Sequence, residues 1–339
     1  MAVMYMEGFD DGLTGERNVL ATATYVTTTY GRNGIGCRTG FGKSFFYPRV
    51  ALSLAASSTL VYGFAMKLYS GSVTERLVGD AFGSGFHIYV GGTNSQVAMN
   101  VNGNTLTMTA GATQFQSWNY VEFKVVFHGS AGTMTMRVNG HTVATSTGLD
   151  TGSAPATVTP QFGDFSTAYY DDWFIDDVYI LNGVGTHSND FLDDSTVGFN
   201  LPDGDGNSSV MVGSDSDTTD NYLLVDNNAA IPPVTTEYVG STTEDDKDTY
   251  SMDDLASTGV YIHAMEVNVY ATKSDTATKY MRTVLRSGGT DYVGSSVALP
   301  LTDTHILVST LYDDDPATSA QWTPTNYNAI EAGQEVRDS

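Results

Sequence analysis

The sequence predicts an all-β chain: an antiparallel jelly-roll sandwich over residues 1–183, an acidic connector over 184–234 and a smaller β-sandwich module over 235–339. Three observations predict it. Apolar and polar residues alternate with period two along many short runs, while helical periodicity is scarce. Two Asn-Gly dipeptides interrupt such runs at hairpin spacing. Gly is abundant, 35 of 339 residues, together with Thr, Ser and Tyr.

Taken in order, Leu60 to Leu68 and Gly85 to Val90 read as strands. Met99 to Val101 and Asn104 to Met108 flank Asn102-Gly103, and both central residues of a type I′ turn need a positive φ that Asn and Gly tolerate. The clearest alternation is Tyr120 to Phe127: Val121, Phe123, Val125 and Phe127 share one face, and Glu122, Lys124 and His128 point the other way. Met134 to Val138, Asn139-Gly140 and His141 to Ala144 form a second hairpin, followed by a strand at Val158 to Phe162. The stretch YYDDWFIDDVYILNG, residues 169–183, closes this domain and places four aspartates among aromatic and β-branched residues.

Past Leu181 the pattern dissolves into Asp-, Gly-, Asn- and Ser-rich sequence, stiffened at its end by Pro232-Pro233. Alternation returns at Tyr261 to Ala271, Lys279 to Arg286 and His305 to Tyr312, and Thr323 to Ala332 fits one short helix.

Length allows about two domains with cores of their own. A single cysteine, Cys37, excludes an internal disulfide and a cysteine zinc site. The start, MAVMYMEGFDDG, lacks the basic and long apolar regions of a secretory signal, so synthesis without a transport signal is expected, and no apolar run is long enough for a membrane helix. Residues 1–150 carry 8 acidic against 9 basic side chains, whereas 151–339 carry 31 against 6, net −25. That sign repels phosphate backbones and argues against a nucleic-acid partner.

The opening Phe9-Asp10, the strand Trp118 to Phe127, the hairpin around Asn139-Gly140 and the closing Phe174-Ile175-Asp176-Asp177-Val178-Tyr179-Ile180 resemble the concanavalin A-like, laminin-G-like jelly rolls. Asn189-Asp190-Phe191-Leu192, Lys247 to Tyr250, Leu285 to Tyr292 and Asp315 to Thr318 through Trp322-Thr323 to Gly333 extend the resemblance to tail-associated or virion structural proteins of tailed bacteriophages. That resemblance implies a non-enzymatic protein residing in the virion, partnered by other virion proteins and by copies of itself. Binding of a host-surface glycan through the jelly roll, and decoration of a capsid, are the alternatives.

Concanavalin A-like glucanases place Glu-x-Asp-x-x-Glu on one strand, and none of Glu7, Glu122, Glu237, Glu244 or Glu331 fits that spacing. In an unbroken strand Asp176 and Asp177 face opposite ways, and Asp172 and Asp176 lie roughly 13 Å apart, too far for the two carboxyls of a glycosidase, about 5 to 9.5 Å apart. The catalytic assignment is therefore none. Asp176, on the face of Phe174, Val178 and Ile180, is expected to be a buried acid tying backbone N–H groups near the chain start. Trp173, Asp177 and Tyr179, on the other face, are the glycan-contact candidates. Asp203, Asp205 and Asn207 match the start of a calcium loop but lack its glycine and its terminal glutamate, so calcium is a weak candidate and no other cofactor is expected. No histidine pair or nucleophile turn occurs.

Overall fold

In a computed structural model the chain is nearly all antiparallel β, as the sequence predicts. The described residues are 3–9, 18–20, 24–27, 31–32, 36–39, 44–48, 52–54, 57–68, 75–80, 87–91, 96–108, 111–113, 116–164, 173–226, 236–255, 259–300 and 304–338. They fall into two compact units, the first ending at Gly198 and the second starting at Phe199.

Two large sheets, with the short pair Leu52–Ser53 and Thr157–Val158, make the first unit among the described residues. The eight-stranded sheet orders His141–Leu149, Gly132–Val138, Asn119–Val126, Thr59–Leu68, Trp173–Leu181, Gly36–Thr39 and Thr24–Thr27, with Val3–Glu7 also on Trp173–Leu181. The seven-stranded sheet orders Asn104–Thr107, Gln96–Val101, His87–Gly91, Glu75–Asp80, Pro160–Asp164, Ser44–Pro48 and Asn18–Leu20. Alternation fills the space between them: Leu60, Tyr62, Phe64 and Met66 meet Val121, Phe123 and Val125 and the Ile88, Val97, Met99 and Phe162 side. Phe64 lies on Phe123 at 5.9 Å and edge-on to Phe162 at 5.7 Å, giving an aromatic centre.

Both Asn-Gly turns form where the sequence places them. Asn102 and Gly103 (φ 49° and 81°) join Val101 to Asn104, and Asn139 and Gly140 (φ 48° and 77°) join Val138 to His141. Asn139 adds a lock: its Oδ1 accepts the Tyr120 N–H at 2.8 Å, holding the turn to the neighbouring strand.

The second unit has a six-stranded sheet ordered Pro202–Ser209, Lys247–Met252, Glu331–Arg337, Tyr280–Ser287 and Thr290–Val293, with Val297–Ala298 also on Tyr280–Ser287. A ribbon of Met265–Ala271 and Ile306–Tyr312 packs on it through Met211, Ala271, Met281, Val308 and Val336 at one end and Met265, Val267, Leu285, Trp322 and Ile330 at the other.

Three expectations are refined. The stretch expected to be an acidic connector contributes Pro202–Ser209 as a strand of the second sheet. The helix is one turn, Pro324–Tyr327, capped by the Thr323 hydroxyl, and Glu331–Arg337 is a strand that pairs on both edges. Glu122 faces away from the core as the alternation predicts, yet it is fully buried.

Candidate functional site

The chemistry-bearing residues gather on the outward side of the eight-stranded sheet, and a break in strand parity puts them there. Along Trp173–Leu181, Ile175 pairs with Met66 and Asp176 with Ala65, but Tyr179 then pairs with Gly63 and Ile180 with Tyr62. The strand therefore carries a bulge between Asp176 and Tyr179, with Asp177 at φ 51°, a left-handed conformation that aspartate adopts more readily than most residues. The extra residue flips parity midway. Ile175, Val178 and Ile180 point into the core, whereas Asp176 and Tyr179 share the outward face.

The expected face of Asp176 is thereby corrected: it stands opposite the core, yet it is only 2% exposed. Its Oδ2 accepts the Arg32 N–H at 2.7 Å and its Oδ1 the Asp177 N–H at 2.9 Å, so it does tie backbone groups, one of them near the start of the chain. Asp177 is 1% exposed. It accepts from Arg32 Nη1 at 3.1 Å and from the Val197 N–H at 2.9 Å, so the bulge lets both aspartates converge on Arg32.

Residues 190–197 run across this face as a strap. Lys124 pairs with Asp190 at 2.9 Å, and the Arg137 guanidinium lies 4.9 Å from the Phe191 ring centre. The Tyr179 hydroxyl donates to Glu122 Oε1 at 2.5 Å and accepts the Leu192 N–H at 3.1 Å. Glu122 Oε1 also accepts the Asp193 N–H at 2.9 Å. Arg137 binds Asp193, and Arg32 binds Asp194 and the Ser195 carbonyl. Gly63 makes room beneath: a Cβ there would land on the Tyr179 ring.

Burial sets the electrostatics. It pushes the Glu122 carboxyl above its usual range against the opposing pull of the Tyr179 hydrogen bond and Arg137. Glu122 Oε2 has no hydrogen bond and sits 3.6 Å from Arg137 Nη1. Burial, with the carboxylates nearby, also raises Tyr120 and Tyr179 well above the ordinary tyrosine range, so both stay protonated donors. Tyr120 gives its hydroxyl to the Asp177 carbonyl at 3.0 Å and stacks on Tyr179 at 6.3 Å.

The glycan-contact expectation is corrected at two of its three residues. Asp177 and Tyr179 are sealed beneath the strap, and nothing as large as a sugar reaches them. The side chain of Trp173 lies outside the described residues, as do Asp171 and Asp172. Sequence reasoning missed Arg32, Arg137 and the strap; the signal for Arg137 was its register opposite Glu122 in the antiparallel pair Asn119–Val126 with Gly132–Val138.

The calcium candidates Asp203, Asp205 and Asn207 lie on the solvent side of the strand Pro202–Ser209 and not in a loop. Asp203 accepts from Ser251 at 2.6 Å, Asp205 from the Asp220 N–H at 2.7 Å, and the Asn207 N–H donates to Glu331 at 2.7 Å. Among the described residues no His, Cys, Asp and Glu group is arranged to hold a metal, and no helix is long and apolar enough to cross a membrane.

No family model matches this chain, and no curated protein matches it. Among solved structures it is similar to the binding domain of botulinum neurotoxin serotype D, at 8% identity over 94% of this chain and 91% of that one, TM-score 0.40. It is also similar to domain 4 of an extracellular arabinanase from Geobacillus stearothermophilus in complex with arabinotriose, at 12% identity over 53% and 92%, TM-score 0.40. A third is the lectin UEA-II complexed with galactose, at 9% identity over 52% and 98%, TM-score 0.34.

Proposed function

We propose that this chain is a non-enzymatic structural protein of a tailed-phage virion, tail-associated or surface-exposed, acting through contacts with other virion proteins and copies of itself. One observation carries the non-enzymatic part: among the described residues, the buried carboxylates are already spent on the fold. Glu7 accepts the Phe9 N–H, and Glu122, Asp176 and Asp177 hold the strap and Arg32. Asp248 accepts the Val210 and Met211 N–H groups and Asn221 Nδ2. Asp315 accepts from Ser287, the Ala317 N–H, Thr318 and Asn326, and Glu335 pairs with Arg282. A general acid or base needs a lone pair or proton facing substrate, and these face backbone amides and their own partners. The virion assignment rests on the sequence resemblance.

An electron-microscopy map of the purified particle tests it. Density for both sandwiches, burying over about 1,000 Å² against neighbours, is the expected result. A particle complete without this chain contradicts it.

Glycan binding is the second reading, favoured by one surface. On the outward face of the ribbon Met265–Ala271 and Ile306–Tyr312, Tyr270 stacks on His305 at 4.9 Å beside Asn268 and Ser309, an aromatic ring next to amide and hydroxyl groups of the kind that hold a pyranose. Binding of the full chain on a glycan array, lost in Tyr270→Ala, would establish it; no binding, or binding kept in that variant, removes it.

A further inference from the structure

The second unit carries an exposed apolar cluster that none of the foregoing uses. Val210, Val212, Leu223 and Tyr238 are 53%, 47%, 50% and 59% exposed, high values for large apolar side chains. They sit on segments bonded to one another. The ribbon of Val212–Gly213 and Val239–Gly240 continues into the Ser214 N–H to Tyr238 carbonyl bond at 2.8 Å, which puts Val212 and Tyr238 on one face. On the other face, Met211 is fully buried and Val239 packs with it in the core. Leu223 belongs to the turn Asn221–Leu224, which Asn221 anchors to Met211 and Asp248. Asp248 in turn fixes the Val210 and Met211 N–H groups, so the exposed side chains stand on a rigid base.

Charge decides what can cover them. Asp215, Asp217, Asp220 and Glu237 surround the cluster in sequence and are exposed. Between Phe199 and Asp246 there are ten carboxylates and no Lys or Arg. Residues 199–339 hold 23 acidic against 6 basic side chains, net −17. Of those six, Lys247, Lys279, Arg282, Arg286 and Arg337 are already paired with carboxylates of the same unit. A second copy brought onto this face would set like charges against each other.

We propose that Val210, Val212, Leu223 and Tyr238, with their acidic rim, form a docking surface for a basic protein partner that presents lysine or arginine around apolar side chains. The apolar centre supplies affinity and the rim supplies steering and selectivity. This goes beyond the virion assignment and does not depend on it.

The test uses the full chain with two fluorescent peptides of equal length and charge, one alternating lysine with leucine and the other lysine with serine, read by anisotropy. The lysine–leucine peptide should bind at least about tenfold tighter, and rising salt should weaken it. Val212→Ser with Leu223→Ser should erase that preference, while Val293→Ser with Val297→Ser, at exposed valines elsewhere, should keep it. Tyr238→Ser provides a second loss with an independent fold, checked by an unchanged melting temperature. Equal binding of the two peptides, equal losses in both valine-bearing pairs, or a dimer in sedimentation that Leu223→Ser dissociates would each overturn the proposal, the last in favour of self-association.

Discussion

At the scale of single residues, Glu122 has the least comfortable position. It is fully buried, one oxygen is doubly hydrogen-bonded and the other has only the Arg137 charge 3.6 Å away. Burial raises its carboxyl above the ordinary value of 4.5 that it has in the unfolded chain. The folded state thus holds its proton to a higher pH than the unfolded state does. Its contribution to stability is complete below the unfolded value and is lost as pH rises through the folded one. The advantage of wild type over Glu122→Gln, measured by urea unfolding, should therefore be largest near pH 4 and shrink toward neutrality. An advantage that grows with pH would mean that the Arg137 attraction, and not burial, dominates.

At the scale of elements, the strap 190–197 explains why an outward sheet face is buried. Its path depends on side chains far apart in sequence: Lys124, Arg137, Tyr179, Asp177 and Arg32. Tyr179→Phe removes the hydroxyl that links Glu122 to the Leu192 N–H. In hydrogen exchange, the Leu192 and Asp193 amides should lose protection by about tenfold or more, while Val121 and Phe123 in the sheet beneath should keep theirs. Loss at all four would make Tyr179 a support of the sheet and not of the strap. The same contrast shows what the sequence made legible. Asn102-Gly103 and Asn139-Gly140 are local signals with a local cause, and both hairpins fell where they were placed. Alternation gives the wrong face for Asp176 because it holds only along an unbroken strand, and the bulge at Asp177 arises from pairing with Thr59–Leu68, which no window of the sequence contains. The strap has no periodicity of its own, so its burial becomes visible only once its distant partners are in place.

At the scale of the molecule, two antiparallel sandwiches are built with acidic side chains as internal fasteners: Asp177 and Glu122 in the first unit, Asp248 and Asp315 in the second. A chain built this way resists change at its buried acids, whereas an enzyme commonly gains stability when a catalytic carboxylate is removed, because such groups are held in strained or unpaired settings. The two accounts predict opposite signs. The decisive measurement is equilibrium urea unfolding of Asp177→Ala against wild type, read on the transition of the first unit. Removing this carboxylate leaves Arg32 short of a partner and the Val197 N–H without an acceptor, so a loss of about 3 kcal/mol is expected. Unchanged or increased stability in Asp177→Ala would contradict the account, and would return the aspartate pair to the list of candidate catalytic groups.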